Sequence, residues 1–529
     1  MIQIRDLSLA PDQSMQELVR AAARQLRIRE TDIKQLDLVR RSVDARKKND
    51  VRIIYTVNVL IKGREEKILK MAHCPKAAPA EEYRYDLPAL TAALPERPVV
   101  VGFGPAGMFA ALVLAMAGAA PIVLERGQDA LRRKQAVERF FETGQLDESS
   151  NVQFGEGGAG TFSDGKLNTG VKNERIHWIL EQFAEAGAQA DILYDAKPHI
   201  GTDVLVTVVQ NLREKLLHYG GEVRFGAKVV GLETENGQLT GVRYEKDGKT
   251  ELLRTHHAVL AIGHSARDTF EMLLESGIPM EPKPFSMGVR IEHSQHMIDV
   301  SQYGAFAGSP GLGAADYKLN VKLPDETSAY TFCMCPGGTV AAAASEAGGV
   351  VTNGMSDQAR AGENANSALL VTLHPEDFPE KGPLGGMYWQ RQIEQAAFRA
   401  GGSNYCAPAQ LVGDFLARRA STELGSVRPT YRPGVKLTKL QDVLPPRITD
   451  VLEQALPELD RKLRGFASPD AVLTAPETRS SSPVRILRGE NRQSALQGLY
   501  PCGEGAGYAG GITSAALDGM LTAEEILKG

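Results

Sequence analysis

The sequence predicts an α/β protein built from a doubly wound domain that is interrupted by an inserted mixed α+β domain and preceded by a small α/β module. Three observations predict this class. An apolar strand runs into a glycine turn after Arg97, the same strand–turn–helix pattern returns at the end of the chain, and a glycine-rich, loop-heavy segment separates the two. The predicted domains are the module at 1–95, the doubly wound domain at 96–276 and 472–529, and the inserted domain at 277–471.

The composition is that of an ordinary globular protein with several domains. Of the 529 residues, 43% are hydrophobic and 24% charged, and the net charge of −5 argues against a nucleic-acid partner or a membrane surface. The uncharged stretch 98–124 contains an early glycine cluster, so we interpret it as a buried strand–turn–helix–strand and not as a membrane span. Five cysteines and no secretory leader before Met15 predict a cytoplasmic protein, and the absence of Cys-x-x-Cys spacing predicts no metal site.

The N-terminal module is predicted from alternating apolar residues. Strands are expected at 1–9 and 51–61 and a helix at 14–26, followed by a linker at 76–95. A basic cluster precedes the second strand, and it is either a solvated loop or a patch that binds phosphate or a partner. The cluster comprises Arg40, Arg41, Arg46, Lys47 and Lys48.

The glycine turn after Arg97 has the Gly-x-Gly-x-x-Gly spacing of a Rossmann-like dinucleotide site. Gly102 permits the tight turn, Gly104 lets the backbone approach a pyrophosphate, and Gly107 lets the helix pack on the strand. Glu125 ends the next strand, where a carboxylate accepts hydrogen bonds from a ribose diol. This turn alone does not distinguish FAD from NAD.

Three further segments favour FAD. The loop 151–166 is rich in glycine and hydroxyl groups and ends in Lys166, which suits a flat ring and phosphates, although a flexible surface loop is the alternative. A strand at 258–262 ends in a small-residue turn at Gly263. Near the end of the chain, Glu504 lies in a glycine turn, and a helix is expected to begin near Ile512, where its positive end would stabilise a reduced flavin.

Several segments together resemble the uncharacterised bacterial FAD-dependent dehydrogenases, whose FAD domain is of glutathione-reductase type. They are NVQFGEGGAGTFSDGKL, AIGHSARDTF, CMCPGG, NGMSDQARAGENANSALLV, ETRSSSPVRI and PCGEGAGYAGGITSAALDG. The resemblance runs from Arg97 to the C-terminus, and the N-terminal module also resembles that family's.

The resemblance and the motifs together give a predicted set of FAD contacts. Most relatives have Asp where this chain has Glu504, so Glu504 is expected to reach the ribityl chain directly or through water. The set is Gly102, Gly104, Pro105, Ala106, Gly107, Glu125, Arg126, Gly157, Gly158, Ala159, Gly160, Thr161, Ser163, Asp164, Gly165, Lys166, Val229, Gly263, Gly503, Glu504, Gly511 and Ile512.

The catalytic candidates are polar residues that could surround a flavin. Cys333 and Cys335 are either a thiolate or redox pair at the ring, or two reduced cysteines on a strand. His199 and Arg290 either bind an anionic substrate or act in acid–base chemistry, or they serve as structural hydrogen-bonding groups.

These observations predict an FAD-dependent oxidoreductase that transfers hydride between flavin N5 and an unidentified small molecule. NAD(P)H is a possible electron donor or acceptor, although the sequence shows no second complete dinucleotide turn. Two alternatives remain open: a flavin-dependent RNA-modifying enzyme that docks through the N-terminal module, and a non-catalytic flavin redox sensor.

Overall fold

The computed structural model describes residues 1–81 and 83–529, so Glu82 of the predicted linker lies outside the described residues. The N-terminal module contains β1 (Ile2–Leu9), α1 (Met15–Leu26), β2 (Ile33–Asp44), β3 (Arg52–Ile61), α2 (Glu65–Ala72) and β4 (Ala77–Pro79). Its antiparallel sheet has the order β2-β3-β1-β4. The two strands and the helix predicted here are confirmed to within a residue at each end.

The module is attached to the rest of the chain through apolar packing and a short backbone pairing. Ile4 and Val57 belong to the same buried apolar cluster as Ile291 and Leu456, which lie far along the chain. The amide of Arg41 donates to the carbonyl of Tyr194 at 2.8 Å, and its carbonyl accepts from Ala196 at 2.9 Å. The module therefore does not stand apart as a tethered appendage.

The next part of the chain carries most of a parallel sheet. Its elements are β5 (Val99–Val101), α3 (Pro105–Met116), β6 (Ile122–Glu125), α4 (Ala130–Thr143), α5 (Arg175–Glu185), α6 (Thr202–His218), β7 (Glu222–Phe225), β8 (Lys228–Glu235), β9 (Gln238–Lys246), β10 (Lys249–Arg254), β11 (Ala258–Leu260) and α7 (Arg267–Glu275). Strands β8, β9 and β10 form a separate antiparallel sheet.

Helix α3 shows how the sequence builds the first turn of the parallel sheet. Gly104 caps it in an extended conformation, and Pro105 occupies the first turn, where its missing N–H costs no helical hydrogen bond. Residues 106–115 are all buried, as expected of a helix that is apolar on every side. The uncharged stretch 98–124 is therefore the strand–turn–helix–strand that the sequence predicts.

The following segment forms a seven-stranded sheet with the order β14-β15-β18-β13-β21-β19-β20. Its elements are β12 (Met280–Pro282), β13 (Phe285–Ser294), α8 (Gln295–Tyr303), β14 (Asn320–Lys322), β15 (Ser328–Cys335), β16 (Thr339–Ala342), β17 (Thr352–Met355), β18 (Asn364–Leu373), α9 (Gly385–Gly401), β19 (Ala407–Leu411), α10 (Val412–Leu416), β20 (Val435–Leu437), α11 (Pro446–Lys462) and β21 (Val472–Glu477). Strand β21 lies after residue 471, so this sheet extends beyond the predicted end of the inserted domain.

The end of the chain returns to the parallel sheet. This last segment contains β22 (Val484–Ile486), β23 (Leu499–Pro501) and α12 (Ile512–Lys528). The parallel sheet has the order β23-β11-β5-β6-β7, so its last strand in sequence pairs beside β11. Helix α12 packs closely on α3. A Cβ at position 519 would overlap the carbonyl of Ala106, so this close contact requires Gly519.

Within the described ranges, none of the helices combines the length and the apolar character that crossing a membrane requires.

Candidate active site

The carboxyl ends of all five parallel strands border one cavity of about 450 Å³. Gly102, Glu125, Ala227, Ala261 and Cys502 line it, and each ends its strand or lies within two residues of that end. Ligands of doubly wound sheets bind at this edge, because the strand order reverses there and the loops diverge. The seven-stranded sheet contributes the opposite wall of the cavity.

The glycine turn forms the floor of the cavity. Gly102 has φ +95°, and a Cβ at this position would overlap the carbonyl of Ala261, so only glycine fits. A Cβ on Gly107 would likewise overlap the carbonyl of Gly102. Gly104 lies against Gly158, where a Cβ on Gly158 would come within 2.9 Å of the Gly104 Cα. The floor is therefore made of backbone and leaves space directly above it.

Glu125 lines the cavity and also fixes its floor. Its carboxylate accepts backbone N–H bonds from Phe103 at 2.8 Å, Gly127 at 2.8 Å and Gly155 at 3.0 Å. The carboxylate thus joins the first glycine turn to the loop 151–166. The neighbouring Arg126 stacks on the Phe154 ring at 4.5 Å and pairs with Asp268 at 2.8 Å.

A buried arginine holds the loop 151–166 in place. The guanidinium of Arg133 donates to the carbonyls of Asn151 at 2.8 Å, Val152 at 3.0 Å and Glu156 at 2.6 Å. Burial lowers the pKa of Arg133 to about 10, which leaves it charged at neutral pH. The loop is therefore a fixed part of the site, and the alternative of a flexible surface loop does not describe it.

The far end of the cavity lies at the start of α12. Gly511 and Ile512 line it, and a Cβ on Gly160 would contact Ile512 at 3.0 Å. Glu504 lines the same end, and burial raises its pKa to about 7, with Lys283 opposing the shift. The start of α12 at Ile512 confirms the sequence prediction for this helix.

The opposite wall comes from β15 and its neighbours. Cys333 lines the cavity, and its carbonyl accepts from the Arg290 guanidinium at 3.1 and 3.2 Å. Glu477 lies beside them, 3.6 Å from Arg290 Nε, and accepts from Thr352 Oγ1 at 3.2 Å. Burial raises the pKa of Glu477 to about 7 although Arg290 opposes it.

A second polar cluster connects the loop 151–166 with the β15 side of the cavity. Asp164 is fully buried and pairs with Lys166 at 2.9 Å and with Arg360. Burial acts to raise the pKa of Asp164, but the charges of Lys166 and Arg360 outweigh it and lower the pKa. Lys166 also donates to the carbonyl of Met334.

Of the predicted cofactor residues, most border the cavity. Those that line it are Gly102, Gly104, Pro105, Ala106, Glu125, Arg126, Gly158, Ala159, Gly160, Ser163, Asp164, Gly165, Lys166, Val229, Gly263, Glu504, Gly511 and Ile512. Gly107, Gly157, Thr161 and Gly503 lie behind the wall. They support it through contacts such as the Gly503 amide, which donates to Asp518 at 2.8 Å.

The predicted catalytic residues divide in the same way. Cys333 lines the cavity, whereas Cys335, Arg290 and His199 do not. His199 Nε2 lies 3.0 Å from the carbonyl of Gln358, and burial lowers its pKa. Arg290 and His199 therefore position the backbone around the cavity.

Other cavity residues were not predicted as site residues. They include Gln153, Phe154, Gly155, Asn168, Tyr317, Thr331, Asn353, Arg360, Glu477 and Arg479. Some of them fall within the segments that carry the family resemblance, so those segments contained a signal for them. These are Gln153, Phe154, Gly155, Glu477 and Arg479. Tyr317 and Thr331 lie in stretches without any such motif.

The arrangement fits FAD. The cavity is continuous from the glycine turn at Gly102 to the start of α12, and neither α3 nor α12 has a side chain capping its first turn in the described chain. Uncapped first-turn amides at one end suit a pyrophosphate, and at the other end they suit an electron-rich flavin edge. Among the described residues, no group of three or more His, Cys, Asp or Glu is placed to hold a metal ion.

The fold and the cavity define an FAD-binding α/β protein, and comparisons with known proteins agree. A family model described as FAD binding domain matches residues 97–269, and one described as FAD-dependent protein, C-terminal domain-like, matches residues 284–480. A domain of unknown function matches residues 1–60. FAD is the cofactor of this protein.

An uncharacterized protein of Clostridium beijerinckii is 47% identical over 531 residues, covering 100% of this chain and 98% of that protein. The chain belongs to the same family of FAD-dependent proteins as this relative.

Solved structures resemble the chain only distantly. A flavin-dependent brominase, Bmp2, has a TM-score of 0.36 and 11% identity, covering 82% of this chain and 79% of that one. A geranylgeranyl bacteriochlorophyll reductase-like protein of Thermoplasma acidophilum has a TM-score of 0.37 and 13% identity over 81% and 77% of the two chains. At these values neither neighbour indicates what this protein does.

Proposed function

We propose that this protein is an FAD-dependent oxidoreductase that transfers hydride between flavin N5 and a small molecule. One observation carries the proposal. A single cavity is bounded on one side by the glycine turns that suit FAD and on the other by ionisable side chains of the seven-stranded sheet, Cys333 and Glu477. A protein that only stored FAD would not need reactive side chains on the wall opposite the cofactor floor.

The backbone of the floor would hold the cofactor. The amides at the start of α3 and the loop at Gly158 would bind the pyrophosphate, and Glu125 would face the ribose. Bound FAD supplies hydride acceptance and donation at N5. The first turn of α12, beside Ile512, would favour negative charge at the pyrimidine edge of the ring.

Two carboxyl groups are suited to proton transfer at this site. Burial raises the pKa of Glu504 and of Glu477 to about 7 each, so both groups exchange protons near neutral pH. His264 also lines the cavity, but burial, reinforced by the charge of Arg479, lowers its pKa to about 3. His264 is therefore neutral at physiological pH and would bind substrate through hydrogen bonds.

The finer parts of the proposal concern architecture and partners. We also propose that the FAD domain is of glutathione-reductase type and that the seven-stranded sheet interrupts it as a substrate domain. The proposed location is the cytoplasm. Cys333 belongs to the catalytic wall, Arg290 and His199 are positioning residues, and NAD(P)H reaches the flavin through the same cavity. The RNA-directed alternative loses support because Arg41 and Arg46 of the basic cluster pair with Asp195 and Asp44.

The proposal is tested by anaerobic reduction and steady-state turnover of the FAD-loaded protein. Two-electron donors, including NADH and NADPH, are offered together with a panel of small acceptors while flavin absorbance is followed. We expect flavin reduction and repeated turnover, with Glu504→Gln lowering the rate at least tenfold. Glu490→Gln, at an exposed position of the same segment, serves as the matched control.

Two results would contradict the proposal. Flavin that no donor reduces would exclude an oxidoreductase, and flavin that is reduced once but never cycles would favour the redox sensor.

A further inference from the structure

Cys333 and Cys335 lie in a distorted part of β15. Phe332 pairs with Ala368 and Cys335 with Asn366, so one extra residue is inserted between the two pairs. Cys333 takes φ +45°, a left-handed conformation that is strained for any residue with a side chain. Such strain persists only where the surroundings impose it, and it is concentrated at functional sites.

Two cations, the buried Arg290 and the partly exposed Lys166, hold this bulge from two sides. Arg290, which is fully buried, donates both terminal guanidinium nitrogens to the Cys333 carbonyl. Lys166 donates to the carbonyl of the next residue, Met334. Two successive carbonyls of a Cys-x-Cys turn are thus fixed by positive groups, and both charges lie close to the sulfurs.

The Cys335 thiol folds back onto Cys333. The Cys335 thiol donates to the Cys333 carbonyl oxygen, with 3.3 Å between Sγ and O. The neighbouring Cys335 side chain and the charges of Lys166 and Arg290 lower the pKa of Cys333, although burial opposes the shift. The neighbouring Cys333 side chain and burial raise the pKa of Cys335. The pair is therefore a thiolate beside a thiol.

The other cavity cysteine has a different environment. Cys502 is fully buried at the end of β23, and burial raises its pKa. Its hydrogen-bond contact is with the hydroxyl of Thr522 and not with a second cysteine. The contrast shows that a cysteine in this cavity is not made reactive by location alone.

Cys333 also stands next to the cofactor end of the site. It lines the cavity together with Ile512 and Glu504, and its charge acts on Glu504 at the α12 end of the cavity. The thiolate therefore faces the region where the flavin would lie, and Cys335 stands behind it.

We propose that Cys333 and Cys335 form a redox-active pair that cycles between a dithiol and an intrachain disulfide and exchanges two electrons with FAD. In the oxidising direction the Cys335 S–H bond breaks and an S–S bond forms to Cys333. The two electrons and the Cys335 proton pass to FAD, so that thiolate, thiol and FAD give disulfide and anionic reduced FAD with no change in total charge. This inference rests on the proposed function only in that FAD accepts two electrons.

The first test is chemical and needs no variant. The FAD-loaded protein is treated with diamide, a thiol oxidant, then denatured in N-ethylmaleimide and digested for mass spectrometry. We expect a peptide containing 333–335 that carries no label and has lost two hydrogens, and that takes two labels after reduction with dithiothreitol. A peptide that stays fully labelled, or a disulfide to any other cysteine, would overturn the proposal.

The second test counts electrons. In an anaerobic dithionite titration, the diamide-treated wild-type protein is expected to take up four electrons per FAD, because flavin and disulfide each accept two. Cys333→Ser and Cys335→Ser, which keep the β-carbon and the bulge, are expected to take up two. Cys406→Ser, outside the cavity, is the matched control and should still take up four.

The results separate this inference from the proposed function. Uptake of two electrons by the wild-type protein, with normal flavin turnover, would overturn the cysteine pair and leave the oxidoreductase intact. Flavin that accepts no electrons from any donor would overturn both.

Discussion

The two walls of the cavity are built by different means. The floor at Gly102–Gly107 and Gly158 is backbone, and its shape depends on the absence of side chains. The opposite wall presents the side chains of Cys333 and Glu477, and the buried Arg290 behind them holds both through charge and hydrogen bonds. The floor is therefore sensitive to volume, whereas the wall is sensitive to charge and protonation.

This difference shows how one site serves two tasks. A cofactor with a fixed shape is held by a fixed backbone surface, which needs no ionisation and changes little with pH. Reacting groups need pKa values set by burial and neighbouring charges, which only side chains provide. Five predictions test this contrast, from the largest expected effect to the smallest.

Removing one charge behind the side-chain wall should cost the most. Glu394 is fully buried and accepts from Arg267 at 2.8 and 2.9 Å and from Arg479 at 2.8 and 3.0 Å. Glu394→Gln leaves the two guanidinium groups without their shared carboxylate, and we expect a loss of about 3–5 kcal/mol in the free energy of unfolding. Urea unfolding measures this loss of stability. Glu458→Gln is the control, because Glu458 forms an ion pair with Arg461 at the surface.

The same group gives a pH dependence with a defined sign. Burial acts to raise the pKa of Glu394, but Arg267 and Arg479 outweigh it and lower the pKa from 4.5 to about 2. Because the folded pKa is the lower one, this stabilisation is complete above pH 4.5 and is lost as the pH falls toward 2. The difference in the free energy of unfolding between the wild-type protein and Glu394→Gln should shrink as the pH falls across this window. A difference that stays constant would show that the two arginines do not lower the pKa of Glu394.

Adding one carbon to the floor should release the cofactor. A Cβ on Gly107 would overlap the carbonyl of Gly102, so Gly107→Ala should displace the turn, at a cost of about 1–3 kcal/mol, and remove bound FAD. Gly170→Ala is the matched control, because no atom lies within 4 Å of its added Cβ. The ratio of flavin to protein absorbance measures the outcome. Full FAD occupancy in Gly107→Ala would show that the floor is not set by volume.

A carboxyl group at the cofactor end should affect stability in the opposite pH direction. The folded pKa of Glu504 is raised from 4.5 to about 7, mainly by burial, so its contribution to stability is present below pH 4.5 and is lost as the pH rises through 7. Glu504→Gln should raise the melting temperature at pH 8, by the equivalent of about 1 kcal/mol, and leave it unchanged at pH 4. An equal shift at both pH values would exclude titration of this carboxyl group.

The smallest effect is expected outside both walls. Arg41 joins the N-terminal module to Asp195 at 3.2 Å and also donates to the carbonyl of Gly311. Because this pair is partly exposed, Arg41→Ala should cost about 0.5 kcal/mol and leave FAD binding unchanged. Arg40→Ala, at the exposed neighbouring position, provides the comparison. Loss of FAD in Arg41→Ala would show that the module shapes the cavity.

The floor could be predicted from the sequence because its signal is local. The spacing of Gly102, Gly104 and Gly107 states a backbone requirement directly, and the glycines before Ile512 mark the start of α12. The same reasoning included Gly157 and Gly503, which shape their turns without lining the cavity. Glycine patterns show where the backbone must turn, but they do not show which face of the turn a ligand meets.

The buried charges that support the cavity could not be derived in the same way. Glu394 lies in α9 and Arg133 in α4 among other polar residues, and their sequences look like ordinary surface helices. Their burial follows from the approach of distant segments, as when Arg267 and Arg479 meet at Glu394. The protonation of Glu477 and the geometry of Cys333 depend on the same distant contacts, which sequence spacing does not encode.

A crystal structure of the protein with FAD tests the central claim most directly. We predict the pyrophosphate on the turn at Gly102–Gly107 and the isoalloxazine ring between Ile512 and Cys333. FAD bound outside this cavity, or protein atoms filling the space between those two residues, would contradict it.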